Sequence, residues 1–198
     1  MPMRDSKRRV FRRRLTVWLL GFSALGGGGF AAQQTPSGAP QSPPSSQDAY
    51  RTAQDLAQKK HYAEAARWYR IAADEGNTPA QVALGHLYAD GQGVQQDFAA
   101  SLHWYRKAAE QGNPEAQNNV GFFYINGMGV AQDFAEAMRW LRKAADQGNE
   151  VAERNIAMLY LNGLGVPADR AAAIKWFRKA AAGGDQDSKE ALRMLGTS

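Results

Sequence analysis

The 198-residue chain contains no cysteine. Neither disulfides nor a thiolate metal site can therefore stabilise it, and acylation at a lipoprotein cysteine is excluded. Histidine is scarce: His61, His86 and His103 are the only three, and no two of them stand at metal-ligand spacing. H-E-x-x-H, G-x-S-x-G and any serine in a nucleophile context are missing as well, so neither an enzyme nor a cofactor is expected. Basic excess is also missing from most of the chain. The net charge is +5, but residues 1–14 hold seven bases against the single acid Asp5, leaving 17 basic and 18 acidic residues elsewhere. A near-neutral body has no electrostatic footprint for nucleic acid, and that partner class is set aside.

What is present begins with targeting grammar. The basic stretch 1–14 precedes the charge-free run LTVWLLGFSALGGGGFAA, and small residues near Gly29, Ala31 and Ala32 offer a cleavage site. Residues 1–32 therefore read as an export signal, with an n-region at 1–14 and an h-region at 15–28. Arg8-Arg9-Val10-Phe11 resembles a twin-arginine pattern, although Arg12 falls where that pattern has leucine. The expected location is periplasmic or secreted. The alternative is a retained anchor facing the periplasm, the only membrane association the sequence suggests. Residues 33–47, QQTPSGAPQSPPSSQ, carry four prolines and almost no large apolar side chain, and read as a linker.

From Asp48 onward one phrase keeps returning. WYRIAADEGNTPAQ from Trp68 recurs as WYRKAAEQGNPEAQ from Trp104, WLRKAADQGNEVAE from Trp140 and WFRKAAAGGDQDSK from Trp176, at a period of 36 residues. A fixed period of this size marks a solenoid, whose units cannot bury their apolar faces alone and must stack. The units are 48–77, 78–113, 114–149 and 150–185, with 186–198 as a cap. In the second unit Thr78 is expected to cap, Pro79 to open the helix, and Ala80, Leu84, Leu87 and Tyr88 to share one face. The loops Gly91-Gln92-Gly93-Val94, Gly127-Met128-Gly129-Val130 and Gly163-Leu164-Gly165-Val166 should end these first helices. They follow helices rather than strands, which argues against a phosphate cradle. Asp97, Asp133 and Asp169 should cap the second helices, with Asp133 and Glu136 forming a capping box.

Ala80, Leu84, Gly85, Leu87, Tyr88, Gly91, Gly93, Val94, Asp97, Trp104, Tyr105, Ala108, Ala109, Gln111 and Gly112 together resemble the Sel-one-like repeat, a relative of the tetratricopeptide repeat. The second and third units match across almost their full length. Ala157 and Gly183-Gly184 depart from the pattern in the fourth, and the first unit lacks the glycine loop. The resemblance implies an all-α fold: a right-handed α/α superhelical solenoid of four helix pairs plus a C-terminal capping helix, with the first (A) helices lining the concave side. It also implies a protein or peptide ligand bound there. Exported relatives of this kind are typically adaptors, regulators of envelope sensor proteins or host-interaction factors. A cysteine-rich subgroup is linked to β-lactams, a property that does not carry over to a chain without cysteine.

The expected function is thus an extracytoplasmic interaction scaffold, most simply a monomer. An envelope hydrolase acting on β-lactams or cell-wall peptides is the rival. Helical periodicity places Val82, His86, Ala89 and Asp90 on the A-helix face away from Leu84 and Tyr88. The equivalents are Asn118, Phe122, Ile125 and Asn126, then Arg154, Met158, Leu161 and Asn162. Asn119 and Asn155 share one further position, where an amide can hold a peptide backbone. These residues are the expected partner-binding set. The opposing reading buries Phe122 and Met158 between adjacent A helices. The pairs Arg106-Lys107, Arg142-Lys143 and Arg178-Lys179 read as a solvated basic face.

Overall fold

The computed structural model describes residues 44–197; the export signal, residues 33–43 of the linker and Ser198 lie outside the described residues. Those described residues form nine α-helices and no strand: α1 Ser46–Gln58, α2 Tyr62–Asp74, α3 Thr78–Asp90, α4 Phe98–Glu110, α5 Pro114–Asn126, α6 Phe134–Ala145, α7 Glu150–Asn162, α8 Arg170–Gly183 and α9 Gln186–Met194. Odd-numbered helices up to α7 are the A helices and even-numbered ones the B helices. Each A helix packs most extensively on its own B helix, and each B helix then packs on the following A helix or on α9. α5 also touches α7, whereas no two B helices meet to that extent. No helix of the described residues is long and apolar enough to cross a membrane.

The helix boundaries follow from local capping chemistry. Helix α1 begins at Ser46, inside the stretch assigned to the linker, because the Ser45 hydroxyl accepts from the Asp48 amide (3.2 Å) and donates to the Asp48 carboxylate (2.6 Å). Asn77, rather than Thr78, caps α3: its side-chain oxygen accepts from Ala80 N at 3.0 Å. Asn113 and Asn149 cap α5 and α7 in the same way, while Thr78 becomes helical and donates its hydroxyl to Gln111. Asp97, Asp133 and Asp169 cap the B helices as expected. The Asp133 box is only half formed, because the Glu136 carboxylate accepts from Trp140 Nε1 (2.7 Å) and pairs with Arg139 instead of returning to the cap.

Two glycine positions explain why the units stack so closely. Gly93 has φ +69, and a Cβ there would also overlap the backbone of Tyr62 and Ala63 at the start of the previous unit's B helix. The loop therefore rests directly on its neighbour. A Cβ on Gly85 would overlap the Tyr105 ring, and one on Gly121 the Leu141 side chain, so bulky B-helix residues drop onto bare A-helix backbone. In the fourth unit Ala157 is fully buried in the cluster that holds Phe177.

A buried polar contact repeats at the unit junctions. Gln81 donates to Ala73 O (3.1 Å) and accepts from Gln111 (2.8 Å), and Gln117 donates to Ala109 O (3.1 Å) and accepts from Gln147 (2.8 Å). At the last junction Glu153 and Gly183 replace both glutamines. Lys179 restores the pattern by reaching Glu153 at 2.9 Å and donating to Ala145 O at 3.1 Å. The exchange leaves no carbonyl orphaned.

Candidate functional site

The A helices present a sparse outer face. On α3, α5 and α7 the exposed residues are Pro79, His86, Asp90, Glu115, Phe122, Asn126, Met158 and Asn162. His86, Phe122 and Met158 occupy the same position in three successive units. Phe122 is 44% exposed and Met158 45%, which contradicts their burial between A helices. Most large apolar side chains of the folded units are covered, so two uncovered ones in register stand out.

The remaining expected residues divide by what they touch. Val82 packs in the cluster of Leu102, Tyr105 and Val120, and Asn118 is buried, accepting from Asn155 Nδ2 at 3.0 Å. These two do not offer a free surface, because they lie where neighbouring helices close on each other. Arg154 is engaged by Asp185 and, at 2.7 Å, by Asp187, so the capping helix holds it. Ile125 is half-buried between two successive core clusters, and Leu161 packs toward the last one. Asn126 and Asn162 donate to the carbonyls of Phe122 and Met158, each at 2.8 Å. Asp90 has no cation partner among the described residues, and the buried Nδ2 of Asn119 has no hydrogen-bond acceptor.

A depression of about 380 Å³ lies at the N-terminal end of this face, lined by Tyr50, Pro79, Val82, Ala83, His86, Asn113 and Glu115. His86 stands at its wall in a hydrogen-bonded chain. Its Nε2 is 2.8 Å from Glu115 Oε1, and its Nδ1 is 2.9 Å from the Tyr105 hydroxyl. Burial, and then the nearby carboxylates of Glu115 and Asp90, raise the Tyr105 pKa well above its ordinary value. Tyr105 therefore keeps its proton, and its hydroxyl and the Glu115 carboxylate hold the two ring nitrogens of His86 from either side. A phenol held this firmly is a poor acid and a poor nucleophile. Its role is to fix the imidazole. Glu115 and Tyr50 were not among the sequence-derived residues. The signal for Glu115 was its offset: junction contacts recur about thirty residues apart, as in Gln81 with Gln111 and Arg154 with Asp185.

The B face differs. Lys107, Lys143 and Lys179 lie over the rings of Trp104, Trp140 and Trp176, at 4.6, 4.0 and 5.2 Å from the centroids. Arg142 donates to the Tyr160 hydroxyl, and Arg106 lies over the Tyr124 ring. The basic ladder is thus partly occupied within the chain. His61 caps α2 without a side-chain bond, and His103 packs edge-on against Trp104.

The model of the Sel1 repeat matches residues 54–77, 78–113, 114–149 and 151–185. The chain belongs to the Sel1 repeat family. Its fold is similar to that of a protective antigen present in uropathogenic Escherichia coli strains, which displays an SLR fold (37% identity, TM-score 0.69, 73% of this chain and 32% of that one). It is also similar to a Sel1 repeat protein from Oxalobacter formigenes (33% identity, TM-score 0.67, 72% of this chain and 60% of that one). The chain thus spans less than two thirds of either relative. No curated protein matches the sequence. Sel1 repeat proteins generally mediate protein–protein interaction, and the fold is typically a non-enzymatic scaffold.

Proposed function

We propose that this Sel1 repeat protein is an extracytoplasmic, monomeric scaffold that captures a segment of a partner protein along its A-helix face. The observation that carries the reading is the uncovered pair Phe122 and Met158, one per unit, in register with His86. Covering what remains exposed of each side chain is worth roughly 1 to 2 kcal/mol, and a few such anchors usually dominate an interface. The location rests on the basic n-region and apolar h-region of residues 1–32. Intact-mass measurement of exported protein should find an N-terminus between about Gly29 and Gln34; full-length chain confined to membranes would favour the anchored form.

The test of the surface pairs a double substitution with a core control. Phe122→Ser with Met158→Ser should weaken partner binding about tenfold or more while lowering stability by less than about 1.5 kcal/mol. Leu84→Ala, at a buried site, should cost about 2 to 5 kcal/mol and leave the affinity of the folded fraction intact. Unchanged affinity in the double variant would move the interface elsewhere. Ile125 is unsuitable as a probe because it contributes to two core clusters.

A further inference from the structure

From α3 to α8 the two faces carry opposite charge, whereas α1 and α2 each expose charges of both signs. On the A helices α3, α5 and α7 the exposed charged residues are Asp90 and Glu115, both acidic. On the B helices α4, α6 and α8 they are Arg106, Arg139, Arg142, Lys143, Arg170, Lys175, Arg178 and Lys179 against the one acid Glu110. Asp90 has no cation partner among the described residues, and the one basic group that Glu115 meets among them is the His86 imidazole, at 2.8 Å. Arg154, half-buried on α7, is matched by two carboxylates, Asp185 and Asp187. Asp90 stands one turn beyond His86 on α3, and Glu115 lies 2.8 Å from His86 Nε2, so both carboxylates flank the same imidazole. The apolar anchors Phe122 and Met158 continue the same row from there.

We infer that the segment captured on the A face is cationic and amphipathic: a lysine or arginine seats beside Glu115 and Asp90, and large apolar side chains cover Phe122 and Met158. This rests on the proposed use of that face. Charge complementarity supports it from both sides of the solenoid, because the acids attract such a segment where the apolar anchors are and the B-face cations repel it elsewhere. An acidic amphipathic segment would meet the reverse arrangement.

The probe is a short synthetic peptide with lysine and leucine at helical spacing, compared with its glutamine–leucine counterpart, each titrated into the full chain. The lysine peptide should bind at least about tenfold more tightly. Asp90→Lys with Glu115→Lys should abolish that preference and leave the glutamine peptide unchanged. Glu110→Lys with Asp146→Lys, an equal change in net charge at the exposed C-terminal ends of α4 and α6, should alter the lysine peptide less than about twofold. Equal binding of the two peptides, no measurable binding of the lysine peptide, or equal losses in the two charge variants would overturn the inference. Phe122→Ser with Met158→Ser separates the two levels. If it weakens both peptides while the A-face charge variant does nothing, the docking face stands and the cationic preference falls; if it weakens neither, the docking face itself is wrong. Sedimentation of the free chain covers the remaining occupant, because a dimer dissolved by the same double substitution would assign the face to a second copy.

Discussion

From α3 to α8 the B helices and the A helices treat their aromatic and apolar side chains in opposite ways; Ile71 on α2, exposed and followed by no lysine or arginine one turn on, lies outside that pattern. On the B face each repeat tryptophan from Trp104 onward is mostly buried and roofed by a lysine of its own helix, one turn further on. On the A face Phe122 and Met158 have no such roof, although Asn126 and Asn162 stand about one turn further on, four residues along where the lysines stand three. Those amides bond back to the helix carbonyls instead of covering the side chains. The difference teaches that exposure on the A face is not a general property of this repeat: the same chain screens apolar surface where a long cationic side chain follows at the next turn. A short amide cannot do so.

Stability measurements can break this comparison, beginning with the largest effect. Trp140→Ala, at an internal and almost wholly buried position, should cost about 3 to 5 kcal/mol in denaturant melts, and Trp176→Ala less because Trp176 is only partly buried near the open end. Equal losses would mean that the tryptophans are not graded by their place in the stack. Next comes Lys179→Ala, which leaves the Glu153 carboxylate, 4% exposed, without its cation and Ala145 O without its donor. A loss of about 2 kcal/mol is expected, discounted from a fully buried pair because half of the lysine is in water. Glu153→Gln in the same background should recover part of it, since glutamine serves the two preceding junctions; no recovery would show that the charge pair is not what stabilises the last junction. The smallest effect belongs to the roof itself. Lys143→Ala should cost about 0.5 to 1 kcal/mol. A loss as large as that of Trp140→Ala would make the lysine part of the core rather than its cover.

Much of the fold was legible because the repeat writes it four times. A 36-residue period, alanines at fixed offsets and a glycine loop after the first helix of the second, third and fourth units specify helix pairs without any knowledge of contacts, since the glycine of each loop must adopt a backbone that other residues avoid. The first helix was placed slightly late because Ser45 and Asp48 cap it within a stretch whose composition reads as linker. Threonine before proline is a strong local signal for a cap at Thr78, yet Asn77 caps α3 in the register shared with Asn113 and Asn149.

The sequence by itself determined that this chain is an all-helical stack and which faces of its helices are apolar, because periodicity within one helix is a local property. It did not determine which residues of the outer A face stay uncovered. Val82 and Asn118 occupy one position in successive units and are both buried, Arg154 at the next equivalent is claimed by Asp185 and Asp187, and Phe122 is left open only four residues beyond Asn118. Those outcomes depend on how far neighbouring helices approach one another and on residues about thirty positions away, which only the packed structure brings into contact. The pairing of Glu115 with His86 arises the same way, because the stack brings two side chains from successive A helices, 29 positions apart, to 2.8 Å.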